Sequence, residues 1–207
     1  MKQILALLMI ASFLNANNVK KGNEQYKLGN YKKAYEYYLI SANKGNPSAQ
    51  FNLGLLYEKA KGVKQDYKKA FEWYLKAANQ NDKYAQSTIA TFYENGNGVR
   101  QDINKALTWF KKAANQNVAY AEQSVGYYYQ NAIAVKRDYK EATKWFLKAA
   151  KQNFPEAHHN LGVNYYNGFG VKKDIALANS YFKVSCKAKV AYGCRLYDDT
   201  SKELNRK

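Results

Sequence analysis

A step of 36 residues runs through most of this chain and limits what it can fold into. It carries Ala49 to Ala85, Ala121 and Ala157, and Tyr57 to Tyr93, Tyr129 and Tyr165. The same step carries Asp66 to Asp102, Asp138 and Asp174. It carries Ala70 to Ala106, Ala142 and Ala178, and back to Ala34. Trp73 maps onto Trp109 and Trp145, with Tyr37 first and Tyr181 last. A fixed period of this length, kept by small and aromatic residues, is the signature of a stacked-repeat protein.

Within one unit the period is helical. Ala49, Leu53, Gly54 and Tyr57 form one apolar stripe. Gly62-Val63 breaks that helix, and Asp66 supplies an N-cap oxygen for a second one. Ala70, Trp73, Tyr74, Ala77 and Ala78 line the second stripe, with the tryptophans assigned to the core. Each unit is therefore an αα-hairpin. One hairpin cannot bury both stripes, so neighbouring hairpins must stack. The expected fold is all-α, a right-handed αα-hairpin solenoid of about five repeats closed by a C-terminal capping helix.

The segments AQFNLGLLY, NGNGVRQD (residues 95–102) and KAFEWYLKAA carry a resemblance. They are similar to the A-x-x-x-L-G-x-x-Y, G-x-G-V-x-x-D and K-A-x-x-W-Y/F-x-K-A-A segments of the Sel1-like repeat, a relative of the tetratricopeptide repeat. The resemblance covers about residues 22–197 and implies a fold and an adaptor role, with no particular partner.

In chain order, residues 1–16 have one early lysine, an apolar run from Ile4 to Leu14, and Ala16 before a polar stretch. They read as a secretory signal peptide, too short for a permanent span, with cleavage expected after Ala16. Residues 17–45 form a shortened N-terminal capping repeat, 46–187 four fuller repeats, and 188–207 a capping helix and tail. Asn46-Pro47 and Phe154-Pro155 suit helix starts. The loop glycines Gly96, Gly98, Gly168 and Gly170 match the repeat pattern, but Ala132 and Ala134 replace them in the fourth unit. That loop is expected to adopt another geometry or to accept strain. The expected location is periplasmic or secreted, with no transmembrane segment once the leader is removed.

The chain has 33 Lys and Arg against 16 Asp and Glu, a formal charge of +17. Such a field favours acidic partners. It also keeps an elongated solenoid soluble. No stacking platform or recognition helix points to nucleic acid.

Cys186 and Cys194 are the only cysteines. The turn between them folds back, and in an oxidising compartment a disulfide is the default reading, ahead of a free thiol or zinc. The C-x7-C spacing is similar to that of the Helicobacter cysteine-rich protein family, secreted Sel1-repeat proteins. Three of the four equivalent junctions have Ala here, so that likeness is partial.

That family implies penicillin binding and weak β-lactamase activity, an enzymatic alternative to a scaffold. Serine β-lactamases need Ser-x-x-Lys with later Ser-Asp-Asn and Lys-Thr-Gly elements. Ser41-Ala-Asn-Lys44 and Ser180-Tyr-Phe-Lys183 occur without either partner element, so no catalytic residue is assigned. Adjacent His158 and His159 point about 100° apart on a helix and cannot share a metal. No metal and no cofactor is expected.

The first helices of related repeats line a concave groove. Here that face offers Phe51, Leu55 and Glu58; Ser87, Thr91 and Glu94; Gln123, Tyr127 and Gln130; and His159, Val163 and Tyr166. Unlike the core columns, these positions do not repeat. Glu58 and Glu94 suggest a preference for basic groups. The reading is a monomeric scaffold that binds a protein or peptide in this groove. An acidic glycan or peptidoglycan is the second binding alternative.

Overall fold

A computed structural model describes residues 17–206, and the leader read at 1–16 lies outside them. Among the described residues all regular secondary structure is helical. The chain divides after Asp102 into two compact units. The first holds the helical residues 17–27 (α1), then α2 (Tyr31–Asn43), α3 (Pro47–Glu58), α4 (Tyr67–Asn79) and α5 (Lys83–Asn95). The second holds α6 (Ile103–Ala114), α7 (Ala119–Asn131), α8 (Tyr139–Lys151), α9 (Pro155–Asn167), α10 (Ile175–Lys187) and α11 (Gly193–Leu204). Within each unit successive helices pack in chain order, as solenoid repeats do.

The helix starts follow the sequence signals. Asp66 Oδ1 accepts from the Lys69 amide at 2.9 Å, Asp138 from Glu141 at 2.9 Å, and Asp174 from Leu177 at 2.9 Å. Asn46 and Asp82 do the same for α3 and α5, at 3.0 and 2.8 Å. Each cap satisfies a backbone donor that the helix itself leaves unpaired.

Small residues set the hairpin spacing. A Cβ built on Gly54 would lie 2.7 Å from the Tyr74 ring, and one on Gly126 would lie 2.6 Å from the Phe146 ring. Gly22 meets Tyr38 and Gly162 meets Phe182 in the same way, so the shortened first repeat keeps the packing of the full ones. Ala34, Ala49, Ala70, Ala106, Ala142 and Ala178 are all fully buried.

The assignment of the tryptophans to the core holds for Trp145 and only in part for Trp73 and Trp109. The central ring of each hairpin is not the tryptophan but the residue after it: Tyr38, Tyr74, Phe110, Phe146 and Phe182 are at most 2% exposed. Trp73 and Trp109 are only half-buried, and Trp145 is 9% exposed. Their faces are covered by the lysine one turn on, with Lys76, Lys112 and Lys148 ammoniums 4.0, 4.0 and 3.9 Å from the ring centres. Two adjacent aromatics on a helix point about 100° apart, and only one can face the glycine column.

The loop of the fourth repeat keeps the glycine geometry without the glycines. Ala132 and Ala134 have φ of 58° and 55°, matching Gly96, Gly98, Gly168 and Gly170 at 65–75°. Strain is accepted rather than avoided, at about 1–2 kcal/mol for a left-handed residue carrying a Cβ.

Contacts between successive repeats change character along the chain. In the first unit Phe71 stacks on Phe92, with ring centres 6.4 Å apart. In the second unit the corresponding positions hold Thr143 with Asn164 at 2.9 Å and Asn179 with Thr200 at 2.8 Å. Asn179 Nδ2 also donates to the Tyr197 carbonyl and to Ser201 Oγ. The closing helix α11 carries an exposed Asp198 where Gly22, Gly54, Gly126 and Gly162 stand in earlier repeats. A carboxylate there leaves no seat for another ring.

Candidate functional site

The groove candidates sit on the first helix of each hairpin: Phe51, Leu55 and Glu58 on α3, Thr91 and Glu94 on α5, Gln123, Tyr127 and Gln130 on α7, and His159 and Tyr166 on α9.

In the first unit Leu55 borders a cavity of about 190 Å³, lined also by Asn23, Tyr26, Lys27, Tyr38 and Asn52. Tyr38 Oη donates to Asn23 Oδ1 at 2.8 Å, and Asn52 Nδ2 donates to the same oxygen at 3.2 Å. One carboxamide thus orders the floor, and Leu55 and the ring of Tyr26 supply apolar wall. Phe51 is half-buried against Tyr74, 5.3 Å between centres. The α1 residues of this cavity were not among the sequence candidates. Their signal was present, since Asn23 follows Gly22 as Leu55 follows Gly54.

Glu58 is less available than its charge suggested. Its carboxylate accepts from Tyr74 Oη at 2.8 Å and pairs with Lys59 at 2.6 Å, leaving 19% of the side chain exposed. Burial, followed by this neighbouring carboxylate, drives the Tyr74 phenol far above its ordinary pKa. Glu94 also has partners within the protein.

In the second unit Tyr127 is 46% exposed on α7. Gln130 Oε1 and His159 Nδ1 are buried without a hydrogen-bond partner. His159 lies against Phe182 at 6.0 Å, and burial lowers its pKa. His158, against Tyr181, is likewise lowered by burial, partly opposed by the Ala150 carbonyl. Tyr166 is committed elsewhere: its hydroxyl donates to Glu203 Oε2 on α11 at 3.2 Å, and Lys173 lies 5.2 Å over its ring.

Neither Ser-x-x-Lys serine is placed to attack a ligand. Ser41 is fully buried, and Ser180 Oγ donates to the Leu177 carbonyl at 2.7 Å. Among the described residues no group of three or more His, Cys, Asp or Glu could hold a metal ion, and no helix is long and apolar enough to cross a membrane.

Cys186 and Cys194 are bonded, with Cα atoms 4.3 Å apart. The bond joins α10 to the first turn of α11, and Cys194 is exposed. Gly193 accommodates this approach. A Cβ there would lie 2.7 Å from Ser185 Oγ and 3.0 Å from the Cys186 amide nitrogen, whereas earlier repeats hold Ala at this position.

Comparison with known proteins agrees with this architecture. The profile described as "Sel1 repeat" matches residues 21–46, 47–82, 83–118, 119–154 and 155–190. The solved Sel1 repeat protein from Oxalobacter formigenes is 36% identical, with a TM-score of 0.79, covering 83% of this chain and 68% of that one. Helicobacter pylori cysteine rich protein B is 27% identical with a TM-score of 0.50, covering 65% of this chain and 96% of that one. The ERAD-associated E3 ubiquitin-protein ligase component HRD3B of Arabidopsis thaliana is 54% identical over 37 residues, 18% of this chain. This chain spans only 6% of the length of that curated relative.

Proposed function

Because the chain belongs to the Sel1 repeat family, we propose that it is an interaction scaffold that takes a protein or peptide partner on the face formed by the first helices. The observation that carries this reading is the 190 Å³ cavity beside Leu55, where apolar wall and ordered carboxamides converge. An extended peptide uses such a site by seating one side chain against the apolar wall while its backbone meets the amides of Asn23 and Asn52. Half-buried Phe51 on the same helix as Leu55 is the further anchor in this unit, since an aromatic gives contact area at low entropic cost.

The test is a selection from a displayed peptide library against the full chain. Peptides that lose about tenfold in affinity with Leu55→Arg, or roughly 1.4 kcal/mol, support the reading. Equal binding by wild type and variant overturns it.

We further propose a periplasmic or secreted location. The exposed Cys186–Cys194 bond and the likeness to the Helicobacter protein support it, because disulfides persist in oxidising compartments. Cell fractionation of tagged full-length protein checks it, and a cytoplasmic pool with free thiols would count against it.

A further inference from the structure

We propose that the loop edge of the second unit is a docking surface for a linear acidic polysaccharide, formed by Lys136, Arg137, Lys140, Lys172 and Lys173. It adjoins the first-helix face only where Lys173 lies over Tyr166, and the proposal does not depend on peptide binding there.

The repeat register builds this surface. The loop at 168–174 presses on the start of α8, where a Cβ built on Gly170 would lie 2.6 Å from the Lys140 amide nitrogen. Thr143 Oγ1 donates to the Phe169 carbonyl at 3.4 Å, and the Phe169 ring stacks on Tyr139 at 4.6 Å. The loop that carries Lys172 and Lys173 is therefore packed against the start of α8, which carries Lys140 and follows Lys136 and Arg137. All five are exposed, and none forms an ion pair among the described residues.

The carboxylates close by are already occupied. Asp138 and Asp174 accept from backbone amides of α8 and α10, and Glu141 pairs with Lys144 at 2.9 Å. Asp138 and Asp174 keep their negative charge while capping, but the five cations outnumber them, so this edge carries net positive charge, which attracts a polyanion at ordinary ionic strength. The first unit repeats the device: a Cβ on Gly98 would lie 2.6 Å from the Lys68 amide nitrogen, which brings Arg100 beside Lys68. The cluster thus follows from the fold rather than from composition alone.

Three observations select the partner. Within the second unit the cations recur in the loops before α8 and α10, which suits a linear polymer. The rings at this junction stack on each other, Tyr139 on Phe169, with Arg137 5.8 Å over Tyr139, which disfavours stacking of nucleobases. The exposed large apolar residues of this unit are Tyr120, Tyr127, Val184 and Tyr192, none in these loops, so nothing is offered for insertion into lipid.

The experiment measures binding of polygalacturonate to the full chain at about 50 mM salt, where surface charges are weakly screened. The quadruple variant Lys136→Gln/Arg137→Gln/Lys172→Gln/Lys173→Gln is compared with Lys151→Gln/Lys183→Gln/Lys187→Gln/Lys202→Gln, which removes equal charge elsewhere on the same unit. The expected result is about tenfold weaker binding and a shallower salt dependence for the first variant, and less than about twofold loss for the second. Equal losses in both, or no binding by wild type, overturn the proposal. So does tighter, variant-sensitive binding to single-stranded DNA or to anionic vesicles.

Discussion

Cys186 and Cys194 are bonded across the two repeat positions that, three periods earlier, are joined by a hydrogen bond from Gln86 Nε2 to the Ala78 carbonyl at 3.3 Å. Gln50 makes the same bond to Ala42 at 3.2 Å. The molecule thus uses one location to fasten neighbouring hairpins, by amide at two early junctions and by sulfur between α10 and α11. At this junction the contacts that hold α11 are polar, and only Gly193 and Thr200 of that helix are buried.

Cys186→Ser is expected to destabilise the protein by about 2–3 kcal/mol in oxidising buffer on the chain-entropy model, and to have no comparable effect under reductant. Thermal melts with and without dithiothreitol check this. An equal drop in both would show that the bond is not what holds α11.

Gly193→Ala is expected to cost more when the disulfide is formed than when it is reduced. The bond draws the two Cα atoms to 4.3 Å, and only that approach puts a Cβ 2.7 Å from Ser185 Oγ. Melting temperatures of wild type and variant in both redox states give the coupling directly.

Glu122 is 1% exposed at the position of Gln50 and Gln86, accepting from Gln152 Nε2 at 2.7 Å. Burial raises its pKa, opposed by the Gln152 hydrogen bond and the Lys148 charge. A carboxyl whose folded pKa lies above its unfolded one holds its proton more tightly in the native state. Stability is therefore lost as pH rises from the ordinary carboxyl value through the raised one. Glu122→Gln is expected to match wild type near pH 4 and to exceed it by about 1 kcal/mol at pH 7, as one net hydrogen bond is worth. Urea melts across that range measure it, and a variant less stable at pH 7 would reverse the sign.

Phe110→Ala and Trp109→Ala differ by one position and are expected to differ widely in cost. Phe110 is fully buried, so its truncation costs about 3–5 kcal/mol. Trp109 is half-buried under Lys112, and its loss costs closer to about 1–2 kcal/mol, part of it the cation–π contact. Denaturant midpoints rank the two.

Ala134→Gly is expected to raise stability by up to about 1 kcal/mol, because it releases a left-handed alanine at φ 55°. The mirror change Gly170→Ala is expected to lower it by more than that, since a Cβ there meets the Tyr139–Lys140 backbone. Paired melts of the two variants test the asymmetry.

Much of this was legible in residue order. The N-caps at Asp66, Asp138 and Asp174, the starts at Pro47 and Pro155, and the small-residue columns act within a few residues of chain, so local spacing reports them. The groove residues were legible only as positions. Nothing in their spacing said that Glu58 would be spent on Tyr74, that Tyr166 would reach α11, or that Leu55 would border a cavity shared with α1.

The sequence by itself determined a train of hairpins, because a period of 36 with two helical stripes admits no other arrangement that buries both. Tertiary structure alone decided which of two adjacent aromatics, Trp109 or Phe110, becomes the core, and that the loop carrying Lys172 and Lys173 packs on the start of α8. Those outcomes depend on the distance between helices, fixed by glycine and alanine backbones in contact, and a one-dimensional pattern carries no distance.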